Sequence, residues 1–198
     1  MKKLFYFLSL IISTSITLSS CSAKNNSNDG AINDSLSVVN VQSLMTTPDS
    51  FLNRRVIVQG RCVHICKHGN RKMFLVNEDD SVLLRVEASS RMGESFADSM
   101  LNSVVAVRGI FREQRINEET LQEYEYKHAA QLANIANTKF RDNLNDRCDT
   151  EKIASGQPAF LTFPQQIADF RQRIEARNNA EGRPYVSLYY IDASAIVR

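Results

Sequence analysis

From residue 38 onward the hydrophobic positions fall into short runs whose period switches between two and about 3.6, the strand and helix periods. Residues 43–52 read as a short helical turn leading into a strand. Arg55-Val-Ile-Val-Gln-Gly60 continues through Arg61-Cys-Val-His-Ile-Cys66 as one long β-branched run, broken at His68-Gly69-Asn70. Residues 72–76 form a second strand, ended by Asn77-Glu-Asp-Asp80, and residues 81–87 a third. Met92, Phe96 and Met100 recur at helical spacing and predict a short amphipathic helix before a fourth strand over 103–111.

A long helical segment follows. Asn117 is placed to cap it, and Glu118 and Glu119 suit the positive end of the helix dipole. Leu121, Tyr124, His128, Leu132, Ile135 and Ala136 mark one face of a pattern that runs to about Leu144, with a boundary over 145–149. A second helix begins with Pro164 in its first turn, carries Ile167, Phe170 and Ile174 on one face, and ends before Gly182. Residues 185–197 are one long final strand.

Three strands, a short helix, a fourth strand and a closing strand predict a β-rich α+β fold. Its form is a five-stranded OB-like Greek-key barrel, with a helical insertion at 113–182 before the last strand. Gly60 falls inside the first strand, where a small barrel must bend and glycine tolerates a bend or bulge. The phrase Val56-x-Val58-x-Gly60-x-x-Val63-His64-x-Cys66-Lys67-His68-Gly69 resembles small, mostly uncharacterised bacterial envelope proteins with OB-like barrels. That resemblance implies a fold and a compartment, and no ligand.

The first 20 residues differ in kind. Lys2 and Lys3 precede the apolar run Leu4-Phe-Tyr-Phe-Leu-Ser-Leu-Ile-Ile12, and Ser and Thr fill the space to Cys21. This is the layout of a secretory signal, and the run is too short for a comfortable membrane span. Leu18-Ser19-Ser20-Cys21 resembles the lipobox of bacterial lipoproteins, which implies that Cys21 is acylated and becomes the first mature residue. Several acyl chains give stable anchoring where one gives marginal binding. Residues 21–37 then read as a flexible tether, and 38–198 as the OB-like domain. The expected location is the cell envelope, on a bacterial membrane and facing periplasm or exterior.

Of the 198 residues, 43% are hydrophobic and 23% charged, as in ordinary globular domains. Losing Lys2 and Lys3 with the leader leaves 22 basic against 22 acidic side chains. A neutral domain without Trp lacks the cationic footprint of nucleic-acid binders, and export removes most such partners. Phe74 is the one aromatic ring placed beside the first loop's charges.

Cys62, His64, Cys66 and His68 alternate, so a regular strand puts all four on one face. They span roughly 20 Å there, so at most two neighbours, such as Cys66 and His68, can share a transition-metal ion. The remaining ligands would come from Cys148 or His128. Cys62 and Cys66, about 13 Å apart on a strand, cannot bridge one another, because a disulfide needs Cα atoms within roughly 7 Å. With Cys21 acylated three thiols remain, and one of the strand pair could bridge Cys148. Val63 and Ile65 are the better core residues, which predicts that the Cys/His face looks outward. Three roles stay open for that face: buried structural residues, a metal or redox site, or a ligand surface without metal.

The loop 67–72 carries Lys67, His68, Arg71 and Lys72 at a position from which OB-folds grip ligands. The sequence has no Gly-x-Ser-x-Gly, no His-Glu-x-x-His and no phosphate-cradling glycine loop, so an enzyme is not expected. The reading is a lipid-anchored, non-catalytic binding module for a small anion, a peptide or an envelope partner. The alternative is a metal-handling or thiol-redox protein built on Cys62, His64, Cys66 and His68.

Overall fold

The β-branched run of residues 55–66 organises the structure. The computed structural model describes residues 36–135 and 147–197, all within the unit Ser35–Arg198. The expected leader, Cys21, most of the tether, and the end of the first long helix at 136–146 lie outside the described residues. The short elements β1 (Val38–Asn40), α1 (Val41–Thr46) and α2 (Pro48–Phe51) lead into β2 (Arg55–Ile65). Then come β3 (Lys72–Val76), β4 (Leu83–Ala88) and β5 (Val104–Ile116). Three helices, α3 (Glu118–Ile135), α4 (Asp149–Ala154) and α5 (Phe163–Glu181), precede the closing strand β6 (Val186–Val197).

β2 pairs antiparallel with β3 and with β5, and β3 pairs antiparallel with β4. β4 lies parallel to β6, which returns antiparallel to β5. The circuit β2-β3-β4-β6-β5 closes on β2, giving a five-stranded mixed barrel of OB-like order, with β1 added parallel to β2. Closure leaves the barrel strands without the unpaired edges that invite aggregation.

Gly60 stands where β2 exchanges β1 for β3 along one edge. A Cβ there would lie 2.8 Å from the Val76 carbonyl oxygen and 2.9 Å from Val41 Cγ2. Glycine is required by that close approach, and its backbone is not left-handed. The strand's irregularity comes three residues later, at Val63.

Val58, Met73, Leu84, Val107, Phe111 and Ile191 are fully buried in the barrel interior. Each such side chain contributes about 1.5–3 kcal/mol relative to exposure. A second core lies among Leu121 of α3, Phe163, Ile167 and Phe170 of α5, and Ile116, Val186 and Leu188 of the strands. The helix signals in the sequence act as expected: Asn117 Oδ1 accepts from the Thr120 N–H at 3.0 Å. Thr162 and Gln165 form a capping box on α5, Pro164 is in its first turn, and Gly182 ends it at φ 66°.

Two boundaries differ. β5 continues to Ile116 because its second half pairs with β6, so the helical insertion starts at residue 117 and not 113. Residues 92–101 are not one amphipathic helix. Gly93, at φ 71°, ends a 3₁₀ turn at Ser90–Met92, and a second turn follows at Asp98–Met100 around the buried Phe96.

Candidate functional site

The register of β2 against β3 decides where the Cys/His side chains go. Cys62 faces Leu75, but His64 faces Phe74, so Val63 is an extra residue and the pair is bulged there. A single extra residue shifts every later side chain to the opposite face. Cys62 therefore points into the barrel, fully buried beside Ile65. Val63 is half-buried and is not in the core. From His64 the alternation restarts, with Ile65 inward and His64 and Cys66 outward.

The expectation of four ligands on one outward face is thus corrected. Cys62 is a core residue whose thiol donates weakly to the His64 carbonyl oxygen at 3.8 Å, and burial pushes its pKa up. His68 lies exposed in the turn 67–70 and is not one of the residues grouped with Cys66.

What joins Cys66 comes from the insertion. Cys148 Sγ stands 3.3 Å from Cys66 Sγ, although the two residues are 82 apart in sequence. With one ring nitrogen of His64 they form a cluster whose ligand atoms all lie within 4.8 Å of one another. His64 packs its ring against Phe74, with centroids 5.8 Å apart, and its Nε2 is buried without a hydrogen-bond partner. Cys66 is held by its own N–H, which donates to the Lys72 carbonyl at 2.9 Å, and by the Asn70 N–H on its carbonyl at 3.1 Å.

Cys148 is held by a buried ionic clamp. Its carbonyl accepts from the Glu151 and Lys152 N–H groups at the start of α4. The Glu151 carboxylate, 7% exposed, meets Lys72 Nζ at 2.8 Å, Arg147 Nε at 3.5 Å and Arg85 Nη1 at 3.7 Å. Lys72 and Arg85 belong to β3 and β4, so the clamp fixes α4 to the barrel wall. Burial works to raise the Glu151 pKa, and Lys72, Arg147 and Arg85 overcome it and hold the carboxyl below its ordinary value. Arg147 is fixed in turn by Ser155 Oγ at 2.8 Å and by the face of Phe170.

The two thiols are electrostatically unequal. The Cys66 S–H bond, the Glu151 N–H and the nearby His64 imidazole lower the Cys148 pKa to about 5, against a cost from burial. Sharing that bond, together with burial, pushes the Cys66 pKa up. The two sulfurs share one contact in which either can donate, with a ring nitrogen of His64 within 4.8 Å.

The donor set suits a soft or borderline ion. Thiolate and imidazole favour Zn²⁺ or Cu⁺ over the hard cations. Tetrahedral zinc with bonds of about 2.3 Å to sulfur separates its two sulfurs by about 3.8 Å, so the pair at 3.3 Å would open by about 0.5 Å to hold it. Three protein ligands leave one coordination position open.

The charges of the expected anion-gripping loop have partners within the chain. Lys67 pairs with Asp98 at 3.1 Å, Lys72 is held by Glu151, and Arg71 donates to the Ala88 and Ser89 carbonyls. Lys67 and Arg71 remain exposed while making these contacts, and His68 also has an interaction partner. Phe74 is fully buried and offers no stacking platform. His128 stacks on Phe163, with centroids 4.0 Å apart, and takes no part in the cluster. A cavity of about 800 Å³ beside the clamp shares Lys72, Arg85, Arg147 and Glu151 with it.

Glu151 and Arg147 are the functional residues that the sequence does not reveal. The one available signal is the third thiol, Cys148, with a charged run just after it. Comparison with protein-family models, curated proteins and solved structures finds no match for the chain.

Proposed function

We propose that this chain is a lipid-anchored envelope protein whose OB-like barrel carries a transition-metal-binding centre made of His64, Cys66 and Cys148. The observation that carries the reading is a ring nitrogen of His64 within 4.8 Å of two sulfurs that are 3.3 Å apart, on an imidazole whose buried Nε2 has no hydrogen-bond partner. A buried imidazole nitrogen left unsatisfied costs about 1–3 kcal/mol, and a bond to zinc or copper(I) would more than offset it.

The role is binding, not turnover. An ion held by two sulfurs and one nitrogen keeps an open position for a further donor from a partner, which suits carriage or delivery. Location rests on Leu18-Ser19-Ser20-Cys21 directly after the apolar run. An acylated Cys21 followed by a polar stretch would tether the barrel at a bacterial membrane surface. Among the described residues no helix is long and apolar enough to cross a membrane.

Metal analysis of the full-length chain, purified without a histidine tag, tests the reading. One zinc or copper per chain is expected, with affinity lowered more than about 100-fold in His64→Ala and Cys148→Ser. Substoichiometric metal, or an affinity unmoved in both folded variants, would overturn it.

A further inference from the structure

We propose that Cys148 and Cys66 also form a thiol–disulfide exchange couple, in which Cys148 attacks a small or peptide-borne disulfide and Cys66 resolves the product. The two sulfurs come from segments 82 residues apart and are 3.3 Å from one another. A disulfide needs about 2.05 Å, so closing the bond takes roughly one ångström of side-chain movement. Access assigns the roles. Cys148 is half-buried, whereas Cys66 is 7% exposed, so a disulfide arriving from solvent meets Cys148 first. Cys62 is sealed in the barrel core and cannot compete for either sulfur.

The exchange balances with the substrate disulfide as oxidant. Cys148 Sγ, having given up its proton, bonds to one substrate sulfur, the substrate S–S bond breaks, and the departing sulfur takes up a proton. Cys66 Sγ then bonds to Cys148 Sγ, the mixed disulfide breaks, and the second substrate sulfur leaves with the Cys66 proton. The protein loses two electrons and two protons, and one disulfide becomes two thiols.

The oxidised couple has spent two of the three metal ligands as thiolates. Exchange and metal retention therefore exclude one another, and oxidation discharges the ion into the envelope. That discharge rests on the metal reading above; the exchange rests on the sulfur geometry alone.

The test uses zinc-loaded, full-length protein incubated without oxygen with glutathione disulfide, while a chromogenic chelator reports free zinc. Peptide mapping of the alkylated product should find Cys66 linked to Cys148, two glutathione thiols per chain, one zinc released, and Cys62 still a thiol. A glutathione adduct persisting on Cys148, a link that includes Cys62, or no reaction would overturn the exchange. Folded His64→Ala should form the same link while holding no zinc, and loss of the link there would overturn sulfur geometry as its cause. A link formed by a protein that never binds zinc would sink the metal reading and leave the exchange standing.

Discussion

One inserted residue, Val63, separates a cysteine of the barrel core from one outside it. Period two would give Cys62, His64 and Cys66 a common face; the bulge sends Cys62 inward and leaves the other two outside. In native metal-free protein, iodoacetamide should therefore modify Cys148 readily and Cys62 only after unfolding. Equal labelling of both in the folded state would contradict the register. Gly60 is a second single-residue constraint. Gly60→Ala forces a methyl against the Val76 carbonyl at 2.8 Å, and overpacking of this kind costs about 1–3 kcal/mol. Urea unfolding should give a lower midpoint at unchanged slope, and an unchanged midpoint would refute the close approach. The bulge was not legible in advance, because Val63 is β-branched and apolar like its neighbours. Only the pairing with β3 reveals which residue is surplus.

α4 has six residues and too few contacts of its own to be stable alone, so the Glu151 clamp decides its place. Glu151→Gln leaves Lys72, Arg85 and Arg147 facing one another without their carboxylate. Removing one partner of a buried ionic group costs about 3–5 kcal/mol. The Glu151 pKa is lowered in the folded state, so its contribution is fully present above the ordinary carboxylate range and is lost as pH falls through the lower folded value. The stability gap between wild type and Glu151→Gln, measured by urea unfolding, should be widest at neutral pH and narrow below about pH 4. A gap that widens with acid would contradict the clamp. The same variant should bind metal about 10–100-fold more weakly, because Cys148 loses its fixed position. None of this is local: Lys72 and Glu151 are 79 residues apart, and no periodicity links them. Strands and helix caps were legible because they depend on neighbouring residues, as Asn117, Pro164 and Gly182 illustrate.

Across the whole chain, the order of strands was enough to anticipate a closed barrel with its helices before the last strand. The pairing of Cys66 with Cys148 was visible only as one of several options, since it depends on how the insertion folds back on β3 and β4. The partners of the 67–72 loop charges were hidden for the same reason, since Lys67 meets Asp98 and Lys72 meets Glu151, both distant in sequence. Anchoring is a separate property of the N-terminal segment. Cys21→Ser should leave the barrel's unfolding unchanged and move the protein from the membrane to the soluble fraction, or leave it unprocessed. Unaltered processing and fractionation would refute the anchor.

The centre itself has a spectroscopic signature. X-ray absorption at the zinc edge of zinc-loaded, full-length protein should show two sulfur neighbours at about 2.3 Å and one imidazole nitrogen at about 2.0–2.1 Å. In Cys148→Ser one of the two sulfurs should disappear. A first shell of nitrogen and oxygen only, or one indifferent to that substitution, would contradict a metal site at His64, Cys66 and Cys148.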